Sequence, residues 1–194
     1  LAKFHIVNKD IITLNKNNFS LDFWNISFNK YKSLMNKELP GSFDIVNEEI
    51  NYLNKNWPLN LPEGIIHADL FPDNVLFSRS HKVSGMIDFY FACKDFFFYD
   101  IDILINACCF PDNNFNKIFM NNILKGYESI RKLQIIEKKK LNVLLRGSSL
   151  RFLLTRIIDI QKKTKNKLLE IKNPEDFLKR LIFHRTISNE NYGI

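Results

Sequence analysis

The segment from His67 to Asp88, HADLFPDNVLFSRSHKVSGMID, gathers side chains that can do chemistry. His67 stands two residues before Asp69, and Asn74 follows Asp69 after four intervening residues. Asp88-Phe89 comes later, beyond two short apolar runs, Val75-Leu76-Phe77 and one beginning at Val83. Two carboxylates and an amide are hard oxygen donors, the kind that Mg²⁺ takes together with phosphate and water. Transfer of a γ-phosphoryl group needs little covalent help from a protein. It needs the attacking hydroxyl held in line and the phosphate charge neutralised. In such a site Asp69 orients the hydroxyl, while Asn74 and Asp88 hold the metal. A metal site ligated by His67 and Asp69 is the poorer reading, because no second His or Cys lies at ligand spacing. His67 is better placed to pin the loop backbone.

The order H-x-D-x-x-x-x-N followed by D-F is that of protein kinases, with Asp-Phe-Tyr here in place of Asp-Phe-Gly. Two more particular blocks, GIIHADLFPDNVLF and GMIDFYFAC, resemble homoserine kinase of the aminoglycoside-phosphotransferase-like type, a family of threonine biosynthesis. FYDIDILINACCF, SLRFLLTRIID and FLKRLIFHRTIS are similar to the same family. The resemblance runs from about Leu61 to the C-terminus and, weakly, over what precedes it. It implies an α+β, mostly α fold, the C-terminal helical lobe of the protein-kinase-like fold with a small β-hairpin at the active site. It implies ATP and Mg²⁺ as cofactors and L-homoserine as the small-molecule substrate. A kinase of the same superfamily acting on another alcohol, an aminoglycoside or choline is the alternative, and a non-catalytic binding module is a further one.

No phosphate-covering loop or phosphate-pairing Lys precedes His67, and the chain opens on Leu1-Ala2-Lys3-Phe4-His5 without an initiator Met. The expectation is that residues 1–194 form the catalytic and substrate lobe of a longer protein. The N-terminal nucleotide-binding lobe then lies outside this chain, which would be inactive without it. Within the resemblance, Asp100 matches an acidic position that braces the catalytic loop. Arg151 and Arg156 are candidates for a substrate carboxylate, since a guanidinium pairs with it bidentately. A salt bridge within the protein is the competing fate of either. In the kinase-like arrangement the hairpin strands floor the nucleotide cleft, so Leu76 and Ile87 lie either beneath adenine or in the core.

The remaining pattern is mostly helical. Phe23 to Met35 suggests a short amphipathic helix, and Pro40-Gly41-Ser42 marks a break. Val46, Ile50, Leu53 and Trp57 share one face of a second helix, closed by Pro58. Ile65-Ile66 is a short buried run leading to the loop, and Val75–Ser78 with Val83–Ile87 reads as a hairpin. Asp95 is placed to cap a helix from Phe96 to Phe110, in which Asn106 is a candidate to face a substrate pocket. A helix follows from Ile118 to Ile130, then a helical region from Glu137 to Lys162, with a possible break near Gly147-Ser148. The last helix is expected to start at Asn173-Pro174 and run to Ser188.

A chain of 194 residues, 45% apolar and 25% charged, suits one globular domain or two. The formal charge of +7 invites a nucleic-acid reading, but Lys and Arg are scattered, and Lys138-Lys139-Lys140 reads as a solvated helix face. No nucleic-acid partner is therefore expected; a positive field suits the approach of a nucleotide polyanion. Cys93, Cys108 and Cys109 lack CxxC spacing, which points to a reduced, cytoplasmic protein. No apolar run reaches membrane-spanning length and no signal peptide is evident, so no membrane association is expected.

Overall fold

Apolar residues at helical spacing need a common partner to bury against, and one long helix supplies it. The computed structural model describes residues 1–11, 15–163 and 172–193. Helices α1 (Ala2–Val7), α2 (Leu21–Glu38) and α3 (Ser42–Asn56) lead to strand β1 (Glu63–Ile66). Strands β2 (Val75–Phe77) and β3 (Val83–Met86) form an antiparallel hairpin with Val75 opposite Met86. Strand β4 (Cys93–Phe96) runs antiparallel to β1, with Ile66 opposite Cys93. Then come α4 (Phe97–Cys108), α5 (Lys117–Glu128), α6 (Ile135–Lys139), α7 (Leu141–Lys163), α8 (Glu175–Thr186) and α9 (Asn189–Tyr192). The result is the expected mostly helical α+β architecture with a small hairpin.

Helix α7 is the centre of the lobe. It packs against α2, α3, α4 and α8, and Leu144, Leu145, Leu150, Leu153, Leu154 and Ile157 are all buried along it. Gly147 lets α3's end close on it: a Cβ there would overlap the Trp57 ring and come within 3.0 Å of Trp24. Trp24 and Trp57 meet edge to face at 4.9 Å, and Trp57 continues to Tyr99 at 5.6 Å. The Glu49 carboxylate, fully buried on α3, accepts two bonds from Arg146 of α7, at 2.7 and 2.6 Å. Arg185 of α8 lies 3.6 Å from the same carboxylate. Among the described residues no helix is long and apolar enough to cross a membrane.

Several expectations about elements are corrected. No break occurs at Gly147; the helix divides at Lys140 instead. Asn189 of α9 holds that division, accepting from the Asn142 amide at 2.8 Å and donating to the Lys139 carbonyl. Asp95 does not cap α4. It lies within β4, where it accepts from the Phe96 amide and from the Asn17 side chain. The start of α8 falls close to expectation: Pro174 occupies the cap position, and the Asn173 side chain accepts from the Glu175 amide at 2.9 Å.

Candidate active site

Strand β1 delivers the chain into the loop that carries Asp69, and the loop is held from below. Ala68 adopts a left-handed backbone, φ +64, which is uncommon for a residue with a side chain. The buried Asp100, in the first turn of α4, fixes that conformation. One of its oxygens accepts from the Ala68 amide at 2.8 Å, and the other from the His67 amide at 2.9 Å. The second oxygen also lies 3.0 Å from His5 Nε2, and His5 Nδ1 lies 2.7 Å from the Tyr127 hydroxyl. Burial alone raises the Asp100 pKa. The bonds from His5, His67 and Ala68 outweigh it and hold the carboxyl below the usual carboxylate value.

The His67 ring ties the loop to the hairpin. Its Nδ1 faces the Asp69 amide at 3.2 Å and its Nε2 faces the Ile87 carbonyl at 2.8 Å. An amide can only donate and a carbonyl only accept, so Nδ1 is the acceptor and Nε2 carries the hydrogen. Asn74 ends a single 3-10 turn, Pro72–Asn74. Its amide nitrogen donates to the Asp69 carbonyl at 2.8 Å, which leaves the amide oxygen as the atom for a cation. The Ile87 amide donates to the Asn74 carbonyl at 3.1 Å, closing the mouth of the hairpin. Asp88 follows, also left-handed at φ +63, and after four intervening residues the chain enters β4.

Asp69, Asn74 and Asp88 all line one cavity of about 330 Å³, together with Arg151, Arg156 and Lys172. Burial pushes the Asp69 carboxyl up to about 6. Arg151, His67 and Lys172 oppose that rise, and Asp88 adds to it. The donor set fits a hard divalent cation. Among the described residues no three His, Cys, Asp or Glu side chains cluster as a self-sufficient metal site. A Mg²⁺ ion held by Asn74 and Asp88 would therefore be completed by oxygens of a bound phosphate and water.

The other candidates separate. Arg151 lines the cavity and is 2% exposed. Arg156 lines it too, but donates to the Asn173 carbonyl and pairs with Asp176 at 3.3 Å. Asn106 is corrected: it does not face the cavity. It is buried between α4, α7 and α8, where its amide nitrogen donates to the Leu145 carbonyl at 2.9 Å and Ser148 at 2.7 Å. Its oxygen lies 2.9 Å from His184. Leu76 and Ile87 are 45% and 43% exposed, so of their two expected places the core is excluded. Neither lines the cavity of Asp69. Sequence reasoning missed His5, Tyr127 and Lys172. His5 and Asp100 stand 95 positions apart, a distance at which no local spacing signals contact.

Comparison with known proteins gives the family and the fold. The model of the phosphotransferase enzyme family matches residues 1–133. A homoserine kinase from Xanthobacter autotrophicus is 42% identical over all of this chain, which covers 61% of that protein. One from Bartonella tribocorum is 41% identical over 97% of the chain, covering 59% of its own length. The chain thus spans about three fifths of the length of these relatives. Among solved structures, amicoumacin kinase hAmiN shares the fold with a TM-score of 0.58 at 16% identity, over 98% of this chain and 56% of that one. A choline/ethanolamine kinase family protein from Mesorhizobium loti superposes with a TM-score of 0.55 at 15% identity, over 84% of this chain and 53% of its own. The helical lobe, its braced loop and the extent of the family match lead to one assignment: the chain belongs to the phosphotransferase enzyme family.

Proposed function

We propose that this chain is the catalytic and acceptor-binding lobe of a homoserine kinase, which transfers the γ-phosphoryl group of ATP to the side-chain hydroxyl of L-homoserine. The observation that carries the proposal is the convergence of Asp69, Asn74 and Asp88 on one cavity. The names of the relatives at about 40% identity support the choice of alcohol. The hydroxyl oxygen forms the new bond to phosphorus, the bond from the γ-phosphorus to the β–γ bridging oxygen breaks, and its electron pair leaves with ADP. Asp69 accepts a hydrogen bond from the hydroxyl, aligns it, and receives its proton. Mg²⁺ supplies neutralisation of the phosphate charge when bound, and Asn74 and Asp88 are the residues that would hold it. His67 and Asp100 keep the loop in the geometry this requires.

The grip on the triphosphate belongs, in this proposal, to a second lobe outside these 194 residues, above the exposed Leu76 and Ile87. The free thiols of Cys93, Cys108 and Cys109 suit a cytoplasmic protein. The test is ATP consumption by the full-length protein against L-homoserine, L-serine, choline and an aminoglycoside. The highest kcat/KM is expected for L-homoserine. Turnover of choline or the aminoglycoside without turnover of L-homoserine would overturn the proposal.

A further inference from the structure

The cavity of Asp69 holds an arginine that forms no ion pair with a described residue. Arg151 is 2% exposed, yet it lines the cavity. Its guanidinium lies 4.8 Å from the Phe19 ring and 4.7 Å from the Phe152 ring. Its Nε and Nη1 have no hydrogen-bond partner. Elsewhere in the lobe Arg131 pairs with Glu137, Arg146 with Glu49, Arg156 with Asp176 and Arg185 with Glu48. Arg151 forms no such pair with a described residue. Taking a guanidinium out of water is costly unless an anion and hydrogen bonds replace the water. Aromatic faces supply only part of that.

Asp69 shares the cavity and feels the Arg151 charge, but no hydrogen bond or ion pair joins the two side chains. A carboxylate placed to orient a hydroxyl and a buried guanidinium with unpartnered N–H groups thus line one space. We infer that Arg151 is the anchor for a carboxylate on the acceptor, holding the acid group of a short hydroxy acid or hydroxy amino acid while its hydroxyl rests on Asp69. The planar fork of Arg suits a bidentate carboxylate, and its fixed, desolvated position confers selectivity on the site. Arg156, the other arginine of the cavity, is already committed to Asp176 and the Asn173 carbonyl. The inference rests on the kinase proposal above and narrows it, because it makes the acid group of the acceptor, and not its amine, the feature that is selected.

The experiment compares two acceptors that differ in the acid group alone, L-homoserine and 3-aminopropan-1-ol, in the full-length wild type and in Arg151→Met and Arg151→Lys. Wild type is expected to favour L-homoserine strongly. Arg151→Met is expected to reduce the ratio of the two kcat/KM values by about 10²–10³-fold, mostly through KM for L-homoserine, with KM for ATP unmoved. Arg151→Lys, which keeps a point charge without the fork, falls between, and it carries the test if the Met variant does not fold by circular dichroism. An equal loss for both acceptors would overturn the anchor and leave a structural role. A rise in KM for ATP would overturn it in favour of a phosphate contact. Either result leaves the kinase proposal standing if wild type still turns over L-homoserine. A wild type that phosphorylates only alcohols without an acid group overturns both.

Discussion

In the proposed reaction, burial and function pull against each other at Asp69. A general base must be ionised to work, and burial has moved this carboxyl up to about 6. The folded protein holds that proton more tightly than the unfolded chain, so ionising Asp69 costs stability as pH rises from about 4 to about 6. Activity runs the other way. In the full-length protein kcat/KM is expected to climb with pH up to about 6 and then level, and Asp69→Ala should lower kcat by roughly 10²–10⁴ and remove that limb. Unchanged turnover in Asp69→Ala would remove the residue from its role. Asp102 shows the same sign outside that cavity: it is fully buried, neither oxygen has a partner, and burial followed by Glu137 raises its pKa well above the usual value. Its contribution to stability falls as pH rises above the ordinary carboxylate range, so urea unfolding of Asp102→Asn should show a smaller loss between pH 5 and pH 8 than wild type. At this scale the sequence was legible where partners are near in the chain. Asp69, Asn74 and Asp88 reach one cavity through a single turn and a hairpin. Asn106 misled because a polar residue in an apolar helix looks the same whether a substrate or the core satisfies it, and here Leu145, Ser148 and His184 do.

Elements followed their local pattern except where a distant residue decides. The face shared by Val46, Ile50 and Leu53 gives α3, and the apolar stripe of α7 gives the central helix. Strand β4 was missed because Cys-Lys-Asp-Phe carries no alternation of its own; pairing with β1 makes it a strand. The division between α6 and α7 was placed at a glycine by the rule that glycine weakens helices, but Asn189, far along the chain, places it at Lys140. Gly147 serves contact between helices instead. Gly147→Ala gains helix propensity, yet its methyl would overlap Trp57, so a net loss of about 1–3 kcal/mol is expected in urea unfolding. A stabilised variant would show that the tryptophan can yield.

At the scale of the molecule, charge inside the lobe does the joining that loops do not. Glu49 receives Arg146 in a two-pronged contact and lies near Arg185, so one carboxylate links α3, α7 and α8. Glu49→Gln leaves two guanidinium groups without that charge, and a loss of about 3–5 kcal/mol is expected. Calorimetry should record it as a fall in Tm of roughly 10 °C, with one transition retained. A second transition would show that α8 unfolds apart from the rest. The mostly helical architecture was readable because apolar periodicity is a local property, whereas these long-range ties were not. One short connection has a wider meaning. Only Phe89, Tyr90, Phe91 and Ala92 separate Asp88 from β4, and β4 is bonded to the strand that runs into His67. Both ends of the candidate site are thus tied to one ribbon. In the proposed reaction Asp69 and Asp88 therefore meet the reactants from positions that the fold has already set.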